Sequence, residues 1–134
     1  MNVAQIAGWS GAGKTTLIAG LIRVFVARGA RVGAIKHTHH PLNDDRIGDT
    51  AKFLDAGASP VMLAGDGEAI VNGERVRYTT PPELLAHFAS CDIVLVEGFK
   101  RFEGWPRIEV SGEERRDPAE VAEILDRIWR SSTE

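Results

Sequence analysis

Apolar and polar positions follow two rhythms along this chain, and each change of rhythm marks the passage between a strand and a helix. Val3–Ala7 is a short apolar run of strand length. From Thr15 to about Arg28, Leu17, Leu21, Ile22 and Phe25 fall on neighbouring turns and Gly29 closes the pattern, which predicts a helix. Arg31–Lys36 reads as a second strand, with Val32, Ala34 and Ile35 apolar. Its charged ends predict a less central place than that of the first strand. His37 to about Gly48 is polar, contains Pro41, and reads as a functional loop. Asp49 or Thr50 would cap a short helix running through Leu54 and Ala56 to Gly57, and Pro60–Ala64 is the next strand.

The second half opens with a different signal. Glu68–Val71 and Glu74–Tyr78 flank Asn72-Gly73, the strongest two-residue turn signal, and predict a small hairpin. Pro81 and Pro82 start a helix carrying Leu84, Leu85 and Phe88. Asp92–Glu97 contains the unbroken run Ile93-Val94-Leu95-Val96, which suits a sheet covered on both faces. Arg107–Val110 is a further short strand. Pro118 sits in the first turn of a closing helix whose Val121, Ile124, Leu125 and Ile128 form an apolar stripe. Strands alternating with helices predict one α/β domain over residues 1–134, three layers deep, with a mostly parallel central sheet and a β-hairpin insertion.

The chemistry concentrates between the first strand and the first helix. Gly8-Trp9-Ser10-Gly11-Ala12-Gly13-Lys14-Thr15 fits GxxxxGK[ST], the Walker A phosphate loop, in its proper strand-to-helix setting. Glycines let consecutive backbone N–H groups turn inward, and the helix start adds its own unpaired N–H groups. Gly11, Ala12, Gly13, Lys14, Thr15 and Thr16 are the expected nucleotide contacts. Lys14 would reach the β- and γ-phosphates and the Thr15 hydroxyl would ligate Mg²⁺. The plainer alternative is a glycine-rich turn with an incidental Lys-Thr.

Glu97 ends the most apolar strand, where open α/β sheets present their ligand sites. It is the candidate Walker B acid, for metal and for any catalysis, with Gly98 leaving space for ligand or metal-bound water. Asp92 lies about 17 Å away at the other end of that strand, so it reads as a capping residue. Asp49 faces the metal, caps its helix, or does both. Lys36, His37, His39 and His40 leave the second strand toward the same edge. Three histidines invite a metal reading, but no cysteine or well-spaced fourth ligand accompanies them, and contacts to an anionic second ligand or partner fit Lys36 better. Lys100 and Arg101 would serve a second phosphorylated molecule, stabilise transferred charge, or simply solvate the surface. Trp9 and Trp105 read as packing or interface residues.

Composition narrows the partners. A formal charge of −3 gives no reason to expect nucleic acid, and no apolar run approaches a membrane span. The single Cys91 fits a reducing compartment, and the early glycine loop leaves no room for a removable leader, so the cytoplasm is the expected location. No Asn-Lys-x-Asp stretch reads guanine, so the residues leave adenine and guanine open.

Three blocks in order, GWSGAGKTT at Gly8–Thr16, IKHTHH at Ile35–His40 and VEGFK at Val96–Lys100, resemble the molybdopterin-guanine dinucleotide biosynthesis adapter (MobB) family of the P-loop NTPase superfamily. Pro106-Arg107-Ile108-Glu109 is similar to the family's Pro-Lys-Ile-Glu, and Ala56-Gly57-Ala58 to its Ala-Gly-Ala. Ile47-Gly48-Asp49-Thr50 departs from the family's Pro-Gly-Lys-Asp-Ser by lacking the lysine. The resemblance implies a GTP- and Mg²⁺-binding homodimer with weak or no GTPase activity. Such a protein assists the molybdenum cofactor guanylyltransferase acting on molybdopterin, with the hairpin at the subunit contact. The alternative from the residues is an ATP-dependent small-molecule kinase, for which Arg101 and Arg107 could supply cations, although the segment between them is short for a lid.

Overall fold

The computed structural model describes residues 1–9, 11–42, 48–112 and 115–133. Ser10 of the glycine loop, positions 43–47 of the polar loop with Ile47, and positions 113, 114 and 134 lie outside the described residues.

Seven strands form one sheet: β1 (Asn2–Gly8), β2 (Val32–His37), β3 (Val61–Ala64), β4 (Glu68–Val71), β5 (Glu74–Arg77), β6 (Ile93–Glu97) and β7 (Arg107–Val110). Their order is β5-β4-β3-β2-β6-β1-β7. The pairs β1–β6, β1–β7, β2–β3 and β2–β6 are parallel, whereas β3–β4 and β4–β5 are antiparallel. The architecture is an α/β fold with a central, mostly parallel sheet flanked by helices. The hairpin is built as the Asn-Gly signal requires, with Asn72 at φ 52° and Gly73 at φ 76°.

The two sides of the sheet are dressed unequally. Helices α1 (Lys14–Ala27), α2 (Asp49–Ala56) and α3 (Pro118–Thr133) share one core with Ala4, Ile6, Ala34 and Leu95. The other face is covered by a shorter segment, Pro81–Phe88, together with Phe99 and the hairpin residues Ala69 and Val71. The helix expected there is present and wound as a 3₁₀ helix, entered through a Thr80–Glu83 capping box with Pro81 and Pro82 in its first turn. Leu84 and Phe88 anchor it, with the half-buried Leu85 packed beside them, and at eight residues it is long for a 3₁₀ run. Strand β6 serves both cores, Ile93 and Leu95 on one side and Val94 and Val96 on the other, as its unbroken apolar run predicts.

Two expectations are corrected. Strand β2 is the middle strand of the seven, not a less central one, because Val32–Ile35 are buried and its charges fall only at the rims. In α3, Ile128 is 36% exposed and Trp129 takes its place in the core. The indole lies 5.7 Å from the Phe25 ring and donates its N–H to the Val3 carbonyl at 3.0 Å. A tryptophan fits there because that polar N–H finds a partner. Among the described residues, no helix is long and apolar enough to cross a membrane.

Candidate functional site

The carboxyl ends of β1, β2 and β6 meet where α1 begins, the edge at which open parallel sheets hold ligands. Helix α1 starts at Lys14 after Gly13, whose φ of 92° is left-handed and favours glycine. No side chain caps the helix start and its first turn holds no acidic residue, so its N–H groups are left for an anion. Gly11 and Thr16 are exposed and Ala12 is buried. The Ala12 N–H donates to the Trp9 carbonyl at 3.1 Å, closing the turn from within. Lys14 Nζ donates to the Gly8 carbonyl at 3.0 Å, which holds the ammonium across the loop. Burial pulls the Lys14 ammonium below its ordinary pKa, opposed by the charge of Glu97.

Four groups converge beside the loop. Glu97 is 2% exposed, and its carboxylate oxygens accept from the Thr15 hydroxyl at 3.3 and 3.4 Å. Lys36 Nζ lies 2.8 Å from Glu97 Oε1 and 2.9 Å from Asp49 Oδ2. The register makes this meeting unavoidable, since Lys36 stands opposite Glu97 in the β2–β6 ladder. Burial works against the Lys36 charge, yet the hydrogen bonds and charges of Glu97 and Asp49 together outweigh it and hold the ammonium above its ordinary pKa. The Thr15 hydroxyl and two carboxylates already gathered around a cation are the hard oxygen set that Mg²⁺ prefers, so these residues fit the ion.

The second group of expected residues divides. His37 packs flat on Phe99, with centroids 4.2 Å apart and planes at 15°. Its Nε2 lies 2.9 Å from Asp66 Oδ1. Burial lowers the His37 pKa, against the pull of Asp66. His39 and His40 are exposed, and the His40 backbone N–H donates to the Thr38 hydroxyl at 3.1 Å. Lys100 and Arg101 lie on an exposed loop, with Lys100 Nζ 5.5 Å from the ring centroid of Trp9. Trp9 is 81% exposed, while Trp105 packs on Phe102 at 4.5 Å. Lys14, Lys36, His37, Asp49, Lys100 and Arg101 all line one cavity of about 1290 Å³.

Several neighbouring residues hold the frame of the site. Gly98 has a φ of 102°, and a Cβ there would come within 2.8 Å of the His37 Cβ, so this glycine makes room for the histidine. Asp92 accepts from the Arg31 N–H at 2.8 Å and so caps the far end of the sheet. Arg107 is engaged with the Lys100 and Phe102 carbonyls at 2.9 and 2.8 Å, which braces the Lys100 loop. Gln5, fully buried in β1, was not singled out by the sequence reading. Its Nε2 donates to the Gly98 and Phe99 carbonyls at 2.7 and 2.6 Å and fixes the chain just beyond Glu97. A lone polar residue inside the apolar run Val3–Ala7 was the available signal. Asp66 was also missed, because its partners lie on another strand end, far away in sequence.

Comparison with known proteins agrees with this arrangement at the level of family. Residues 3–129 match the family described as MobB, Molybdopterin guanine dinucleotide synthesis protein B. The molybdopterin-guanine dinucleotide biosynthesis adapter protein of Haemophilus influenzae is 40% identical over 116 residues, covering 84% of this chain and 65% of the relative. The protein of the same description from Escherichia coli is 41% identical over 107 residues, covering 72% and 58%. The chain therefore spans less than two thirds of the length of either. A MobB homologue structure from Bacillus stearothermophilus superposes with a TM-score of 0.51 at 31% identity, covering 82% of this chain and 63% of that one. Bacillus subtilis MobB gives 0.53 at 23% identity over 90% and 73%, a likeness of fold alone.

Proposed function

This chain belongs to the MobB family, and on that premise we propose that it is a P-loop protein that binds GTP with Mg²⁺ and serves as an adapter in molybdenum cofactor biosynthesis. In this role it assists a molybdenum cofactor guanylyltransferase in converting molybdopterin to molybdopterin guanine dinucleotide, in the cytoplasm, with weak or no hydrolysis of its own. The observation that carries the reading is the contact of the Thr15 hydroxyl with the buried Glu97 carboxylate, beside a helix start with no side-chain cap. A buried acid placed there is hard to explain by packing alone.

Each residue has a defined task in this account. Gly11, Ala12, Gly13, Lys14, Thr15 and Thr16 would hold the phosphates, chiefly through backbone N–H groups, with the Lys14 ammonium, now 3.0 Å from the Gly8 carbonyl, supplying the positive charge. Thr15, Glu97 and Asp49 hold Mg²⁺, which when bound neutralises phosphate charge. Lys36 pairs with both carboxylates and holds them together. Glu97 is also the candidate for any catalysis at this site. His37, His39, His40, Lys100 and Arg101 line the remaining cavity and suit an anionic second ligand such as molybdopterin, or the partner enzyme. The protein acts as a homodimer joined near the β4–β5 hairpin, where β5 is the outermost strand.

Titration with GTP and with ATP, with product followed in the presence and absence of the guanylyltransferase, tests the proposal. The expected result is a preference for GTP, negligible turnover alone, and more dinucleotide formed by the partner. Rapid transfer of phosphate from ATP to a metabolite would overturn it in favour of a kinase.

A further inference from the structure

The sequence offers three histidines and no further metal ligand beside them; the fold supplies one from another strand. Asp66 stands in the turn between β3 and β4, and its side chain meets both His37 and His39. We propose that His37 Nε2, His39 Nδ1 and an Asp66 carboxylate oxygen form a site for a divalent transition-metal ion of the Zn²⁺ type, distinct from the magnesium position at Glu97.

The geometry is close to what such an ion needs. Bonds of about 2.0–2.2 Å in a tetrahedral arrangement put neighbouring donor atoms about 3.4 Å apart. Here His37 Nε2 is 2.9 Å from Asp66 Oδ1, His39 Nδ1 is 3.6 Å from Asp66 Oδ2, and all three ligand atoms lie within 4.8 Å of one another. The remaining adjustment falls on His39 and Asp66, whose side chains are 82% and 76% exposed and turn freely. Two imidazoles and one carboxylate suit zinc and its neighbours in the first transition row rather than magnesium.

The ligands are mounted on a fixed frame. The His37 ring is held flat against Phe99, and the T-shaped approach of the His39 ring, at 76° and 4.9 Å, points both imidazoles toward the shared carboxylate. Thr38 N–H donates to the Ala64 carbonyl at 2.8 Å, which ties the histidine segment to the end of β3. The Asp66 turn is closed by Gly65 N–H to the Glu68 carbonyl at 2.8 Å and by Tyr78 N–H to the Gly67 carbonyl at 3.1 Å. The Tyr78 hydroxyl also donates to the Gly65 carbonyl. Such support is what lets side chains from the end of β2 and from the β3–β4 turn act as one chelating set. Three protein ligands leave a fourth position, and all three line the cavity that also holds Lys14 and Lys36. A water or an anionic atom of a cavity ligand would complete the coordination.

Co²⁺ titration of the full chain, freed of metal by chelation and measured without nucleotide or Mg²⁺, tests the site. The expected result is one saturating equivalent, seen as visible d–d absorption and displaced by Zn²⁺. His39→Ala and Asp66→Asn should each weaken binding by at least about tenfold, because losing a direct ligand costs no less than losing an outer-shell partner. Both side chains are exposed, so both variants should keep the wild-type circular dichroism. His87→Ala, on the exposed face of the 3₁₀ segment, should bind as wild type. Absence of Co²⁺ binding at millimolar concentration would overturn the proposal. So would binding that survives His39→Ala and Asp66→Asn combined, or an equal loss in His87→Ala. Omitting nucleotide keeps the outcome separate from that of the GTP reading.

Discussion

Lys36→Met is the most informative single substitution, because it removes the cation from between two acids and leaves the acids in place. Methionine keeps most of the side-chain volume, so the effect is one of charge. Glu97 is 2% exposed and loses a partner at 2.8 Å, and Asp49, 18% exposed, loses one at 2.9 Å. Removing one member of a buried ion pair costs about 3–5 kcal/mol, since the remaining charge is stranded. The partial exposure of Lys36 and Asp49 admits water and puts the expectation near the lower figure, about 3 kcal/mol. For a domain of this size that corresponds to a fall of roughly 10 °C in Tm. Urea or thermal unfolding of Lys36→Met, Glu97→Gln and the double variant provides the assay. The double variant should recover part of the loss, with a coupling energy of about 1–3 kcal/mol. The pH dependence follows from linkage. The folded-state pKa of Lys36 is raised, so its contribution is fully present below the ordinary lysine value of 10.5 and is lost only as pH rises through the folded value. The cost of the substitution should therefore be flat from about pH 6 to about pH 9 and shrink in strong alkali. Mg²⁺ should stabilise Lys36→Met more than wild type, because it then has no ammonium to displace. A loss under about 1 kcal/mol, additive with Glu97→Gln and indifferent to Mg²⁺, would refute the reasoning.

Two further substitutions probe the same edge of the sheet. Glu97→Gln should weaken Mg²⁺-dependent nucleotide binding more than it lowers Tm, which equal magnesium titrations of mutant and wild type would contradict. Gln5→Leu should cost about 1–3 kcal/mol in unfolding experiments, because it leaves the buried Gly98 carbonyl without its donor and the Phe99 carbonyl with the Phe102 N–H alone. It should also speed amide exchange in the Gly98–Phe102 loop, and protection unchanged from wild type would deny Gln5 its positioning role.

Much of the fold was legible because local signals agreed with tertiary ones. The Asn72-Gly73 turn and the two-faced run Ile93–Val96 needed no context to be read. The position of β2 did not follow from its own residues, since charges at strand ends mark the rims of a sheet and not its edge strands. The helix expected from Pro81 is present, but the sequence pattern did not specify its 3₁₀ winding. In α3, periodicity alone could not choose between Ile128 and Trp129; the Phe25 ring and the Val3 carbonyl decide it. At the site, the motif singled out Lys14 and Thr15, the strand end Glu97 and the helix start Asp49, and the structure brings Thr15 and Asp49 to the Glu97–Lys36 pair. The pairing of Lys36 with Glu97 required the β2–β6 register, and the meeting of Asp66 with His37 required the β2–β3 pairing. Contacts between strand ends are a property of topology, which no single segment carries.

Calorimetric titration of GTP with Mg²⁺ into wild type and Lys14→Ala tests the central claim most directly. The account predicts saturable binding at one site per chain, weakened about ten- to a hundredfold in the variant, as expected when a charge-assisted contact worth about 1.5–3 kcal/mol is lost. Identical isotherms for the two proteins, or no heat for either while both remain folded, would contradict it.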